Sequence, residues 1–262
     1  MIAAMRFKTV FVLSLIWNLT MGLALANECP QSVDLLIIGD SQFGATWSRG
    51  YAGNFLQQCL KSNFVLYARG GTIAGNWIGT GGMDQIETIQ RDPLNEHLNI
   101  GAKEKVPLCK KRLESMLETH APQRVLLEFG GNYNAQTDEF IAQDILKLIK
   151  VLQTKNISKE NCFFLHQTYE MEVASKRNVP LKNLENMKRV GFVIQKTIGE
   201  ACQFIDGFEL MKNSPYFDGK ELLKRIPIEG RPGCMGAAAN DNAHLCGEAA
   251  KDFANRVCSF LN

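Results

Sequence analysis

The chain has 262 residues, of which 45% are hydrophobic, with 29 lysines and arginines against 27 aspartates and glutamates. A net charge of only +2, without a basic stripe, argues against nucleic acid or an anionic membrane surface as a partner. The length suits one domain with a large hydrophobic core.

The first 26 residues have the pattern of a secretory signal peptide. Arg6 and Lys8 form a short positive start, an apolar run covers residues 10–25, and Ala24 to Ala26 has the A-x-A form of a cleavage site. Polar residues interrupt the run, which is short for a membrane span of ~20 apolar residues. We therefore expect cleavage after Ala26, a secreted or periplasmic protein without a stable membrane anchor, and a single domain over residues 27–262.

Strand-like and helix-like segments alternate along the rest of the chain. Short apolar runs predict strands at 33–38, 64–68, 124–129, 162–166 and 202–206. Helices are predicted at 53–60, 110–120, 139–155, 181–200 and 247–261, with a glycine-rich stretch at 70–82 and an irregular insertion at 207–240. This alternation predicts a three-layer α/β/α sandwich around a five-stranded parallel sheet.

Polar and glycine residues follow three of the predicted strands and precede the last helix. The four segments are Gly39-Asp40-Ser41, Arg69-Gly70-Gly71, Gly130-Gly131-Asn132 and Asp241-Asn242-Ala243-His244. Ligands of open parallel sheets bind beyond the carboxyl ends of the strands, so these segments are expected to meet at one rim.

In these residues the chain resembles the SGNH hydrolases, also called GDSL-like lipases and esterases. Ser41 matches the first block of that family, a glycine of Gly70-Gly71 the second, Asn132 the third, and Asp241 with His244 the fifth. The resemblance spans about residues 33–261. It implies a flavodoxin-like sheet and the hydrolysis of oxygen esters or thioesters through an acyl-enzyme.

Two features depart from the family pattern or leave it ambiguous. The third block commonly reads G-x-N-D, whereas Tyr133 follows Asn132 here, which keeps the role of Asn132 but alters the local loop. The glycine of the second block is either Gly70 or Gly71, and we favour Gly71.

The same residues form a coherent site on chemical grounds. A serine hydroxyl becomes nucleophilic when a base accepts its proton, and His244 is the candidate base for Ser41. Asp241, three residues earlier, can orient the imidazole. The backbone N–H of Ser41 at the start of a helix, the N–H of Gly71 and the amide of Asn132 are the candidate donors of an oxyanion hole. No cofactor is predicted.

Each assignment has a structural alternative. Ser41 or His244 could cap a helix and Asn132 could be a turn residue, but their order along the chain favours catalysis. Asp40 is expected to stabilise the turn rather than to react. His166 also ends a strand and is the rival of His244 as the base. The absence of a G-x-S-x-G sequence argues against the α/β-hydrolase fold.

Two tryptophans and the other histidines are further candidates for site residues. Trp47 and Trp77 follow motif strands and could border the substrate, or they could anchor their loops by burial. His166 is a candidate substrate contact, whereas His97 and His120 are expected at the surface.

The substrate class is inferred from the predicted export and from aromatic side chains, and not from the motif residues. Export and aromatic side chains near the rim favour deacetylation of an envelope or extracellular polysaccharide. Lipase, thioesterase, lysophospholipase and acyltransferase activities use the same acyl-enzyme and remain alternatives. A non-catalytic carbohydrate-binding protein is disfavoured, because the serine, asparagine and histidine are all present.

The chain contains eight cysteines, and an even number behind an export signal favours disulfides. The smallest spacing between cysteines, that from Cys234 to Cys246 and again to Cys258, is too wide for a C-x-x-C metal motif, so we predict no metal site. We predict a Cys234–Cys246 bond, because these residues bracket Asp241 and His244. Cys162 and Cys202 are a second candidate pair, since each opens a predicted strand. A Cys246–Cys258 bond is disfavoured, because the last helix would hold them ~18 Å apart.

Overall fold

The computed structural model describes residues 32–44, 52–79, 85–92, 95–105, 112–166, 184–216, 245 and 247–262. The predicted signal peptide, Trp47, the Asp241–His244 pair and the Cys234–Cys246 bond lie outside these residues and stay predictions.

Five parallel strands form the centre of the sheet. They are β1 (Leu35–Gly39), β2 (Phe64–Ala68), β5 (Arg124–Phe129), β6 (Cys162–His166) and β7 (Gln203–Asp206). Their spatial order is β2-β1-β5-β6-β7, the flavodoxin-like arrangement that the family resemblance implies. The order reverses at β1, so chain segments that follow β1, β2 and β5 emerge side by side at one rim.

A hairpin that the sequence analysis did not assign extends the sheet beyond β2. Strand β3 (Gln85–Asp92) pairs antiparallel with β2, and β4 (Asn95–Lys105) pairs antiparallel with β3. Ile86 and Ile89 are three residues apart, so β3 lacks the alternation that marks a half-buried strand. The register also shifts between Ile86 and Thr88.

Helices cover both faces of the sheet. They are α1 (Ala52–Cys59), α2 (Leu113–His120), α3 (Asp138–Thr154), α4 (Leu184–Ile198), α5 (Gly207–Met211) and α6 (Gly247–Leu261). The strand residues Leu36 and Ile38 pack against α2, α3 and α4. Leu35 and Ile37 point to the opposite face and pack against α1, α5 and α6. The five apolar residues from 35 to 39 are therefore buried on both faces, as a central parallel strand requires.

Helix α3 begins at a capping residue and has one apolar face. Thr137 caps α3 by accepting a hydrogen bond from the N–H of Phe140 at 3.2 Å. The buried residues of that helix recur every three or four positions: Ile141, Ile145, Leu148, Ile149 and Leu152. This spacing puts them on one helical face, which packs onto the sheet.

Two disulfides link elements that are distant in sequence. Cys162 and Cys202, the pair at the starts of two predicted strands, are bonded with a Cα–Cα distance of 4.6 Å. Cys59 at the end of α1 is bonded to Cys258 in α6. Cys258 is therefore not the partner of Cys246, which removes the rival of the predicted Cys234–Cys246 bond.

The prediction that His120 lies at the surface is wrong. His120 is fully buried at the end of α2, where its Nε2 atom lies 2.8 Å from the Tyr67 hydroxyl. Within the described part of the chain, we find no helix that is both long and apolar enough to cross a membrane.

Candidate active site

Ser41 lies directly beyond the carboxyl end of β1. Residues 41–43 form a single turn, closed by the Gly44 N–H donating to the Asp40 carbonyl at 3.1 Å. Residues 41–44 are not helical, and residues 45–51, between this turn and α1, lie outside the described residues. The Ser41 N–H therefore stays a predicted oxyanion donor.

Asp40 holds this turn, as its expected structural role requires. Its carboxylate is fully buried; Oδ1 accepts from the N–H of Gln42 at 2.9 Å, and Oδ2 accepts from the Asn132 amide at 2.9 Å. The Asp40 N–H in turn donates to Glu128 Oε2 on β5 at 3.0 Å. A Cβ on Gly39 would lie 2.8 Å from Phe43 Cδ2 and 2.9 Å from that same Oε2 atom, so the close packing of these two side chains favours glycine there.

The two glycines of the second block differ in their surroundings. Gly70 faces Ser41, since a Cβ there would lie 3.5 Å from Ser41 Cβ, an ordinary contact distance. Gly71 has a φ of +76°, a conformation that favours glycine, and a Cβ there would meet nothing within 4 Å. The backbone at these two positions can therefore approach a reacting group beside Ser41 without a side chain in between.

Asn132 follows β5 and connects the first and second blocks. Its Nδ2 atom donates to Asp40 Oδ2 at 2.9 Å and to the Thr72 carbonyl at 3.0 Å. These two bonds account for both amide hydrogens and fix the plane of the amide. For the amide to stabilise an oxyanion, one hydrogen has to be shared with the substrate.

Tyr133, the departure from the family pattern, is also part of this network. Its hydroxyl accepts from the N–H of Ala74 at 3.0 Å and donates to Asp144 Oδ2 on α3 at 2.6 Å. The same Oδ2 atom accepts from the N–H of Gly75 at 2.8 Å. Sequence reasoning did not find this role for Tyr133 and Asp144, which are eleven positions apart and belong to no common motif.

Gln42 connects the turn of the candidate nucleophile Ser41 to the residue that follows the predicted base. Its Oε1 atom accepts from the backbone N–H of Leu245 at 3.2 Å, and both residues are buried. Leu245 directly follows His244, and Gln42 directly follows Ser41. Its position after Ser41 was the only sequence signal for Gln42.

Of the two alternatives for Trp77, the structure supports burial that anchors its loop. Its side chain is fully buried in the core beneath the rim, and its Nε1 atom donates to Thr72 Oγ1 at 3.2 Å. The Thr72 hydroxyl in turn donates to the Arg69 carbonyl at 2.8 Å. The indole therefore stabilises the loop after β2 and does not present a face to a substrate.

His166 is also buried rather than open to a ligand. Its ring stacks on Phe204 and Phe208, with centroid distances of 6.2 and 5.9 Å, and its Nε2 atom has no hydrogen-bond partner. A Cβ on Gly191 of α4 would lie 2.9 Å from Cε1 of the ring. Burial lowers the pKa of His166 to about 4, so the ring is neutral at pH 7. The placement does not support a substrate contact.

The donors at this rim are hydroxyl, amide and backbone groups. Within the described ranges, no three His, Cys, Asp or Glu side chains are grouped closely enough to hold a metal ion.

Comparisons with known proteins identify the fold. No family model and no curated protein matches the chain. Among solved structures it is similar to a candidate SGNH hydrolase from Slackia heliotrinireducens, at 12% identity and a TM-score of 0.51, covering 88% of this chain and 100% of that one. A GDSL-like lipase from Bacteroides thetaiotaomicron matches at 10% identity and a TM-score of 0.51, covering 93% and 94%.

A carbohydrate acetylesterase family member from Sinorhizobium meliloti matches at 15% identity and a TM-score of 0.50, covering 87% of this chain and 97% of that one. At these identities the likeness concerns the fold and not the activity. The chain has the fold of the SGNH hydrolases, as its sequence motifs predicted.

Proposed function

We propose that this protein is an exported serine ester hydrolase that acts through an acyl-enzyme, with Ser41 as the nucleophile, His244 as the base and Asp241 as the residue that orients the base. The observation that carries the proposal is the bond between Gln42 Oε1 and the N–H of Leu245. It supports the proposal because Leu245 is the neighbour of His244 and Gln42 is the neighbour of Ser41.

In the proposed reaction, Ser41 Oγ attacks the ester carbonyl while the imidazole of His244 takes the hydroxyl proton. The tetrahedral intermediate collapses, the C–O bond to the alcohol breaks, and the imidazolium protonates the leaving oxygen. Water then attacks the acyl-enzyme and gives its proton to the imidazole. The second collapse releases the carboxylic acid and returns the proton to Ser41 Oγ.

The negative charge that develops on the carbonyl oxygen needs hydrogen-bond donors. We assign this role to the N–H groups of Ser41 and Gly71 and to the Asn132 amide. The two hydrogen bonds of the Asn132 amide fix its plane, and in the proposed reaction one of its two hydrogens is shared between its present acceptor and the oxyanion.

For the substrate we propose an acetylated carbohydrate. The predicted export puts the protein among envelope and extracellular polysaccharides, and a carbohydrate acetylesterase family member is among the structures with the same fold. Trp47 stays a predicted contact for a sugar ring. Trp77 no longer contributes to this argument, because it is buried.

Replacing the nucleophile tests the reaction. Ser41→Ala should lower the hydrolysis of p-nitrophenyl acetate by about 10⁴-fold or more, because the proposed acyl-enzyme forms on the Ser41 hydroxyl that the change removes. Ser62→Ala is a matched control, since Ser62 Oγ is buried without a partner near the opposite end of β2. Circular dichroism checks that both variants fold. A folded Ser41→Ala protein within a few-fold of the parent activity would rule out Ser41 as the nucleophile.

A chain-length series tests the substrate class. We expect release of acetate from acetylated xylan or another acetylated polysaccharide, with kcat/KM for p-nitrophenyl esters highest at acetyl and falling toward octanoyl. A rise of kcat/KM with chain length, and no acetate from the polysaccharide, would favour the lipase-like alternative.

A further inference from the structure

The loop after β2 is held by hydrogen bonds to its own backbone as well as by the buried Trp77 side chain. We call residues 70–77 the β2 loop. Its Thr72 carbonyl accepts from Asn132, its Ala74 N–H donates to Tyr133, and its Gly75 N–H donates to Asp144. The last two bonds meet at one point, because the Tyr133 hydroxyl itself donates to the Oδ2 atom that binds Gly75.

The groups that hold the β2 loop are shielded from water. Tyr133 is fully buried, and the Asp144 side chain is 5% exposed. Burial raises the pKa of Tyr133 above its ordinary value, and the nearby negative charge of Asp144 raises it further. The phenol therefore keeps its proton, donating to Asp144 and accepting from Ala74 at the same time.

The β2 loop packs closely against Asp144 at Gly75. A Cβ on Gly75 would lie 2.2 Å from Asp144 Oδ1, so the peptide reaches the carboxylate only because position 75 is glycine. Gly71, in contrast, would have no atom within 4 Å of a Cβ, and its φ of +76° lies in the region that favours glycine. The direction of its N–H thus depends on what fixes the chain on either side.

We propose that Tyr133 and Asp144 are positioning residues for the oxyanion hole, acting by clamping the β2 loop so that the Gly71 N–H and the Asn132 amide converge beside Ser41. The inference rests on the proposed function, since it concerns donors for that reaction. On one side of Gly71 the chain is fixed by β2, where the Arg69 N–H donates to the Gly39 carbonyl at 3.2 Å. On the other side it is fixed by Tyr133 and Asp144.

The clamp should act on the transition state more than on substrate binding. A donor that is displaced by a fraction of an ångström still leaves the substrate site open, but it meets the developing oxyanion poorly. Tyr133→Phe keeps the ring and removes only the hydroxyl. It leaves the Ala74 N–H without its acceptor and Asp144 with one donor fewer.

The chain provides a matched control for the loss of a buried hydroxyl. Tyr67 is fully buried in β2, and its hydroxyl lies 2.8 Å from His120 Nε2 on α2. Burial raises the pKa of Tyr67 as well. Tyr67→Phe therefore removes a comparable buried hydrogen bond whose partner belongs to α2 and not to the β2 loop.

The experiment measures kcat and KM for p-nitrophenyl acetate and the inhibition constant of phenylboronic acid, which adds a serine oxygen to form a tetrahedral boronate. Tyr133→Phe should lower kcat by ~10–10²-fold and leave KM within about 2-fold, because a small misplacement of reacting groups costs that much. The affinity for the boronate should fall in parallel with kcat/KM. Tyr67→Phe should lower the Tm but leave all three constants near the parent values.

A second pair of variants covers the case in which Tyr133→Phe does not fold. Asp144→Asn retains an oxygen that accepts from Gly75, whereas Asp144→Ala retains none, so the asparagine variant should keep more of kcat. Tyr133→Phe should also be less than additive with Asn132→Ala, since both act on the same donors.

Three results would overturn the clamp: a parent-like kcat in Tyr133→Phe, an equal loss of kcat in Tyr67→Phe, or equal kcat values in Asp144→Asn and Asp144→Ala. These results are distinct from a failure of the proposed function. If Ser41→Ala remains active, the serine mechanism is wrong; if it is inactive while Tyr133→Phe behaves as the parent, only the clamp is wrong.

Discussion

The carboxyl ends of the parallel strands form two regions that resemble each other in sequence but differ in structure. We call the ends of β1, β2 and β5 the nucleophile rim and the ends of β6 and β7 the distal rim. At the nucleophile rim, Asp40, Asn132 and Thr72 are joined by hydrogen bonds. At the distal rim, His166 is buried against aromatic rings with its Nε2 atom unpaired.

The polar groups of the distal rim have structural roles. Asp206 caps α5 by accepting from the N–H of Phe208 at 2.8 Å, and His166 fills space beneath α4. A polar residue at the end of a strand is therefore a weak sign of catalysis by itself. What distinguishes the nucleophile rim is that its donors are held by partners from neighbouring strands, which is the condition for electrostatic preorganisation.

The largest effect expected from this comparison concerns Asn132. Asn132→Ala should lower kcat for p-nitrophenyl acetate by about 10²–10³-fold with little change in KM, because the amide acts mainly on the transition state. His166→Leu is the matched change at the distal rim and should leave kcat within about 2-fold, since among the described residues the ring packs against Phe204, Phe208 and Gly191. If Asn132→Ala changes only KM, Asn132 is a substrate-binding residue. If His166→Leu greatly lowers kcat, the two rims do not differ in their contribution to catalysis.

A smaller effect concerns stability at acid pH. Burial lowers the pKa of His166 to about 4 in the folded protein, whereas an unfolded histidine titrates near 6.5. The unfolded state therefore binds the proton first, so this stability is complete above pH 6.5 and is lost as the pH falls from 6.5 to about 4. At pH 4 the loss amounts to about 3 kcal/mol, from 1.4 kcal/mol for each pKa unit.

Urea unfolding of the parent and of His166→Leu at pH 7 and pH 4 measures this contribution. The other titrating groups are common to both proteins, so the difference between their pH dependences isolates His166. The parent should lose about 3 kcal/mol more than the variant on acidification. Equal losses in the two proteins would mean that the ring is already solvated, or paired, in the folded state.

The parallel part of the fold was predictable because buried parallel strands are continuous apolar runs with little ambiguity. The predicted strands 64–68, 124–129 and 162–166 coincide with β2, β5 and β6. The β3–β4 hairpin was not predicted, because β3 lacks regular alternation and the register between the two strands is irregular. The alternation of Leu98, Ile100 and Ala102 in β4 is the one sequence signal for the hairpin. Strand β3 forms through pairing with β2 and β4, a tertiary effect that its local sequence does not report.

The positions of Ser41 and Asn132 at one rim were predictable, because each residue type matches a position in a motif, and their catalytic roles stay predictions. The contacts of Tyr133, Asp144 and Gln42 were not predictable, because they arise across the fold. The burial of Trp77 and His120 could not be predicted from the sequence, because amphipathic side chains occur both in the core and at the surface.

The central claim is that Ser41 is an activated nucleophile, and covalent labelling tests it most directly. The purified protein is treated with a fluorophosphonate, digested and mapped by mass spectrometry. We expect a single adduct on Ser41 Oγ, formed at a rate that falls sharply in His244→Ala and disappears in Ser41→Ala. An adduct on another residue, or labelling of Ser41 at the same rate without His244, would contradict the proposed mechanism.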